Sequence, residues 1–88
     1  MEEEPRIEFP CDGYPIKVIG TSSDGLISSV VAIVRSHDGQ FEETTIEEVT
    51  SREGNYTSVR LSIRATGETQ LKALHAELMA HPLVKLVL

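Results

Sequence analysis

Three histidines, His37, His75 and His81, and one cysteine, Cys11, are the side chains here best suited to metal or nucleophile chemistry. Their spacing argues against both. His75 and His81 stand six residues apart, about 240° around a helix at ~100° per residue, so they diverge and do not chelate. His37 and His81 fall near expected helix C-termini, where an imidazolium meets the negative end of the helix dipole, and His75 sits beside an apolar helix face as an amphipathic filler. Cys11 has no neighbouring base and no helix N-terminus to activate its thiol. No nucleophile-elbow motif frames a serine. The chain is therefore read as non-enzymatic, with no metal and no cofactor.

The totals narrow the class further. At 88 residues there is room for one domain, small enough to gain from a partner surface. Hydrophobic content of 40% and charged content of 25% are ordinary for a folded globular chain. The longest apolar run, Val30 to Val34, is far short of a membrane span, and the acidic start Met1-Glu-Glu-Glu-Pro5 lacks the basic and apolar regions of a signal peptide. A lone cysteine permits no internal disulfide and suits a reducing compartment, so a cytoplasmic location is expected. The net charge of −6 repels polyanions, so nucleic acid and anionic membranes require a local basic patch to become partners.

Residues 1–13 mix acids and prolines without periodicity and read as an extended arm, leaving 14–88 as the domain. Tyr14 to Gly20 alternates, with Tyr14, Ile16 and Val18 facing one way, as a half-buried strand does. Hydroxyls at Thr21, Ser22 and Ser23 offer an N-cap to a helix whose apolar face is Leu26, Ile27, Val30, Ile33 and Val34, ending at Asp38-Gly39. Phe41 to Ser51 suggests an outer strand with a weakly apolar face. After the Arg52–Asn55 turn, Tyr56 to Ala65 is the clearest strand: Thr57, Val59, Leu61, Ile63 and Ala65 point inward, the alternate residues outward. Thr66 is the expected N-cap of a second helix with Leu71, Leu74, Leu78 and Met79 on its apolar face, ended by Pro82. Leu83 to Leu88 closes the chain as a strand. The order is that of an α+β, ferredoxin-like βαββαβ sandwich, a four-stranded antiparallel sheet with both helices on one face.

Four stretches carry a family resemblance: Glu8-Phe9-Pro10, Ile16-Lys-Val-Ile-Gly20, Gly54-Asn-Tyr-Thr-Ser-Val59 and the closing Val84-Lys-Leu-Val-Leu88. At these separations they resemble the YbeD-like family of uncharacterised bacterial proteins over nearly the whole chain. Two departures are visible: Phe9 to Tyr14 is about one residue longer than the family's spacing, and Arg52-Glu53 replaces its usual Ser-Lys turn. The resemblance implies a fold close to the ACT-type regulatory domains, and no reaction.

Two places on this fold are candidate sites. With the first and third strands central, Lys17, Ile19, Tyr56, Ser58, Arg60, Arg64, Lys85 and Val87 are expected on the helix-free face, which gathers four positive charges, Lys17, Arg60, Arg64 and Lys85, beside Tyr56. Such a face suits a regulatory or interaction module that docks a second copy, a homodimer, or an acidic protein partner. RNA binding is the weaker reading, since one tyrosine replaces the aromatic platform such folds use. The second place is the loop Thr21, Ser22, Ser23, Asp24 and Gly25, where a helix N-terminus with hydroxyls can receive a carboxylate. The resemblance to ACT-type domains implies an amino-acid-type effector there. Asp24-Gly25-Leu26 looks like part of their motif, although the usual proline is missing; capping alone also explains these residues.

Overall fold

In the computed structural model, which describes residues 9–88, β1 (Cys11–Thr21) and β3 (Tyr56–Ala65) form the centre of one antiparallel sheet. The edges are β2 (Glu47–Thr50) and β4 (Val84–Val87), giving the order β2-β3-β1-β4. Helices α1 (Asp24–His37) and α2 (Glu68–Ala80) pack on one face, as the ferredoxin-like pattern requires. Residues 1–8 of the expected arm, with Glu8 of the first family stretch, lie outside the described residues.

The core follows the two periodicities. Ile16 and Val18 of β1 and Val59, Leu61 and Ile63 of β3 are buried against Leu26, Val30 and Val34 of α1 and Leu74 and Leu78 of α2. Met79 was expected on that face; one residue beyond Leu78 turns it ~100° toward solvent, and it is exposed. Gly20 sets how closely the layers approach. A Cβ there would meet the Leu83 carbonyl oxygen at 2.6 Å and Leu26 Cδ1 at 2.7 Å, so only a hydrogen lets α1 and the start of β4 close over the end of β1.

Three boundaries differ from the sequence reading. The strand β1 starts at Cys11, not Tyr14, because Asp12 and Gly13 bulge opposite Arg64, between the pairs Cys11–Ala65 and Tyr14–Ile63. Gly13 takes the positive φ of 74° that such a bulge asks of glycine. The outer strand shrinks to Glu47–Thr50: Phe41 drops into the core, and Thr45 Oγ1 donates to the Glu42 carbonyl to close a 3-10 turn at Glu43–Thr45. The N-cap of α2 is Gly67, not Thr66, and the Thr66 N–H donates instead to Gln70 Oε1.

Two polar side chains stitch the helix ends to the sheet. Asp38, the C-cap of α1, accepts from Gln40 N and, across the fold, from Arg64 N on the stretch of β3 that β2 leaves unpaired. Gln70 Nε2 donates to the carbonyls of His37 and Arg64, so one amide joins α2, α1 and β3.

Candidate interaction surface

The helix-free face is fixed by the strand registers, because residues directly opposite each other in an antiparallel pair share a face. One row runs Glu47, Arg60, Lys17, Leu88 across all four strands' positions; Lys17 and Leu88 exchange both backbone hydrogen bonds, at 3.0 and 2.8 Å. The next row runs Val49, Ser58, Ile19, Leu86. Tyr56 lies beyond, opposite Thr21. Five large apolar side chains among the described residues are exposed, and four of them, Val49, Tyr56, Leu86 and Leu88, are on this face.

The predicted charge cluster is rearranged. Lys17 and Arg60 are brought directly opposite each other at its centre, with Glu47 across from Arg60. Like charges in that position cost stability. Arg64 stays on this face, since β3 alternates unbroken to Ala65, but the bulge carries Asp12 to it, with Nε 3.6 Å from Oδ1. Lys85 and Val87 were expected on this face by strict alternation, and β4 breaks alternation. Ile19 pairs with Leu86 but Gly20 pairs with Val84, so Lys85 is the extra residue of a register shift and has no partner in the pairing. Val87 pairs with the core residue Val18 and packs against the core, and Leu86 and Leu88 take the open face. These leucines and Val49 are what sequence reasoning missed. Their signal is the strand-end register, which depends on pairing across the whole chain.

Beside the first row, on the side of the Pro15–Ser62 pair, lies a shallow depression of ≈ 510 Å³ lined by Lys17, Arg60, Glu47, Thr45, Ser62 and Leu88. It offers a carboxylate two cations and two hydroxyls, with Glu47 already opposite Arg60 and Leu88 at its border.

The loop from Thr21 to Gly25 has part of its polar groups engaged within the fold. Thr21 N donates to Leu83 O and Ser22 N to Asn55 O. Ser22 Oγ lies 2.8 Å from Oγ1 of the buried Thr57, which also lies 3.4 Å from Thr50 Oγ1. Ser23 is the N-cap of α1, accepting from Gly25 N at 3.4 Å, and Asp24 sits exposed in the first turn. An anion arriving here would compete with the Ser23 cap.

The histidines and the cysteine are dispersed. His37 Nε2 is 3.1 Å from Glu77 Oε1, within ion-pair reach but not aligned as a hydrogen bond. His81 Nδ1 accepts from Leu83 N, His75 is exposed on α2, and Cys11 Sγ lies 3.7 Å from the Asp12 carbonyl. Among the described residues no group of three or more His, Cys, Asp or Glu is placed to hold a metal ion, and no helix is long and apolar enough to cross a membrane.

Comparison with known proteins agrees with this geometry. Residues 4–88 match a family model described as "Protein of unknown function (DUF493)". A UPF0250 protein of Nitrosomonas europaea is 44% identical over 88 residues, covering 100% of both chains, and one of Hahella chejuensis is 44% identical over 88 residues, covering 100% of this chain and 96% of that one. Among solved structures, a solution structure of an H. pylori protein superposes with a TM-score of 0.74 at 19% identity, over 98% of this chain and 89% of that one. The ACT domain from GTP pyrophosphokinase of Chlorobium tepidum gives 0.61 at 19% identity, over 89% and 97%. At that identity the two structures speak for the fold: ferredoxin-like, of the ACT type.

Proposed function

Because this chain belongs to the DUF493 family of proteins of unknown function, the YbeD-like family that its motifs resemble, we propose its role from its own surface: a non-enzymatic, ACT-like interaction module that docks a partner protein through the helix-free sheet face. The observation that carries this reading is the concentration there of Val49, Tyr56, Leu86 and Leu88 around the Lys17–Arg60 pair. Exposed apolar surface gathered on one face suits burial against another molecule. Glu47 faces Arg60 on one side only, so Lys17 has a cation opposite it that an acidic side chain of the partner offsets.

The dimensions favour a transient complex. Four strands ~4.8 Å apart, with edge strands of about four residues, offer on the order of 500 Å². Stable complexes bury about 800 Å² on each partner. A second copy would set the same basic centre against itself, so the local charges of the face favour a different, acidic surface.

A photo-crosslinking residue at Ser58, in the second row, tests the reading in native cells, with Ala73 on the outside of α2 as the control position. Adducts are expected from position 58, lost when Lys17→Glu and Arg60→Glu are combined, and absent from position 73. Labelling that ignores the charge reversal, or that is equal at both positions, refutes the docking face. Sedimentation of the purified chain is expected to give a monomer; a dimer abolished by the same reversal would make the occupant a second copy and overturn the acidic partner.

A further inference from the structure

The chain has 14 Asp and Glu against 8 Lys and Arg, yet that balance reverses around one sheet edge. Lys17 is bonded to Leu88, and toward its N-terminus β1 runs on without a β4 partner. Under α2, this uncovered stretch opens as a groove of ≈ 290 Å³ walled by Tyr14, Ile16, Leu71, Leu74 and Leu78, with Lys72 and His75 also lining it. Ile16 and Leu88 line both this groove and the depression on the helix-free face, so the two meet at the edge. Together they are lined by Lys17, Arg60, Lys72 and His75 and by one acidic side chain, Glu47.

The edge itself does not invite strand addition. Backbone groups of alternate residues point to the same neighbour, so the next position after Lys17 on this side is Pro15, which has no N–H to donate. A ligand must therefore be held by side chains. The groove lies at the lower limit of small-molecule pockets, the size of one or two side chains.

We propose that this groove is an anchor pocket for one apolar side chain, of leucine or phenylalanine size, on an acidic peptide segment of the docked partner. The anchor enters beside Tyr14, Leu71 and Val87, over the buried Leu74 and Leu78, and flanking carboxylates lie beside Lys72 on one side and Lys17 on the other. The proposal rests on the docking-face reading and extends it around Leu88.

Amide NMR of the full ¹⁵N-labelled chain tests it with three eight-residue peptides: glutamates bearing one leucine and one phenylalanine, the same peptide with alanine at both apolar positions, and the first with lysine for glutamate. The first is expected to shift the Leu71, His75 and Leu88 amides saturably. Loss of the anchors weakens binding about tenfold or more. The lysine peptide does not bind, and Lys72→Glu weakens the first about tenfold while the spectrum stays that of a folded chain. Shifts confined to Ile19 and Ser58 overturn the groove and keep the face; shifts confined to the groove keep the pocket and overturn the face. Absence of any shift with the acidic peptide overturns the pocket and leaves the face to the crosslinking result. Decanoate moving the groove amides as strongly at equal concentration, or concentration-dependent shifts of the free chain that reveal a second copy there, overturns the peptide anchor.

Discussion

A methyl group at Gly20 would lie 2.6 Å from the Leu83 carbonyl oxygen and 2.7 Å from Leu26 Cδ1. Leu26 is 1% exposed and has little room to turn, and Leu83 O is held by the Thr21 N–H at 2.8 Å. Relief therefore has to come from the backbone, by moving the start of β4 away from β1. Overpacking of this kind costs about 1–3 kcal/mol, and weakening the Thr21–Leu83 hydrogen bond adds about 1 kcal/mol. Restricting the unfolded chain returns about 0.4–1 kcal/mol. Gly20→Ala is thus expected to destabilise by about 1–3.5 kcal/mol, centred near 2.5, against a total of roughly 4–13 kcal/mol for a domain of this length. The midpoint of thermal unfolding should fall by about 10–20 °C. Urea unfolding measures the difference directly, with Gly39→Ala as the control: a Cβ there meets nothing within 4 Å and the φ is not positive. A loss at Gly20 below about 0.5 kcal/mol, or one equal to the control, would refute the close approach.

Other perturbations have separate readouts. Asp38→Ala removes the acceptor for Gln40 N and Arg64 N and should cost about 1–2 kcal/mol in urea unfolding, partly recovered by Asp38→Asn. Gln70→Ala breaks the bonds to Thr66, His37 and Arg64 and should cost about 1–3 kcal/mol, read in the same way. Lys17→Ala relieves the charge facing Arg60, so the unfolding free energy should stay level or rise by up to about 0.5 kcal/mol while partner crosslinking falls. Arg64→Ala should stay within about 0.5 kcal/mol, because its partner Asp12 is 87% exposed and the pair is screened.

The parts of this fold that were legible in the sequence are those where one short window carries the signal. Alternation from Thr57 to Ala65 and the three-four spacing of Leu26, Val30 and Val34 each state a buried face locally, and the buried residues are the ones those patterns name. Strand ends were not legible. The bulge at Asp12-Gly13 and the register shift at Lys85 exist only through partners some 50–70 positions away in the chain, and each reverses the side on which the following residues emerge. Lys17, Tyr56, Arg60 and Arg64 therefore sit as the alternation puts them, whereas Lys85 falls at a register shift and Val87 turns to the core. The short β2 was obscured for another reason: its four residues are all exposed, so no buried side chain marks where it begins.

The central position of β1 gives its amides two different fates in hydrogen exchange. Lys17 N and Thr21 N donate to Leu88 and Leu83 on the β4 side, and the residues between alternate toward β3. Detaching the four-residue β4 frees the first set and leaves the β3 ladder closed. Ile16, Val18 and Gly20 then exchange only when the core itself opens, while their immediate neighbours report a smaller, cheaper opening that exposes the rest of the β1 edge. Residue parity along one strand thus separates the unfolding of the domain from the uncovering of its binding edge.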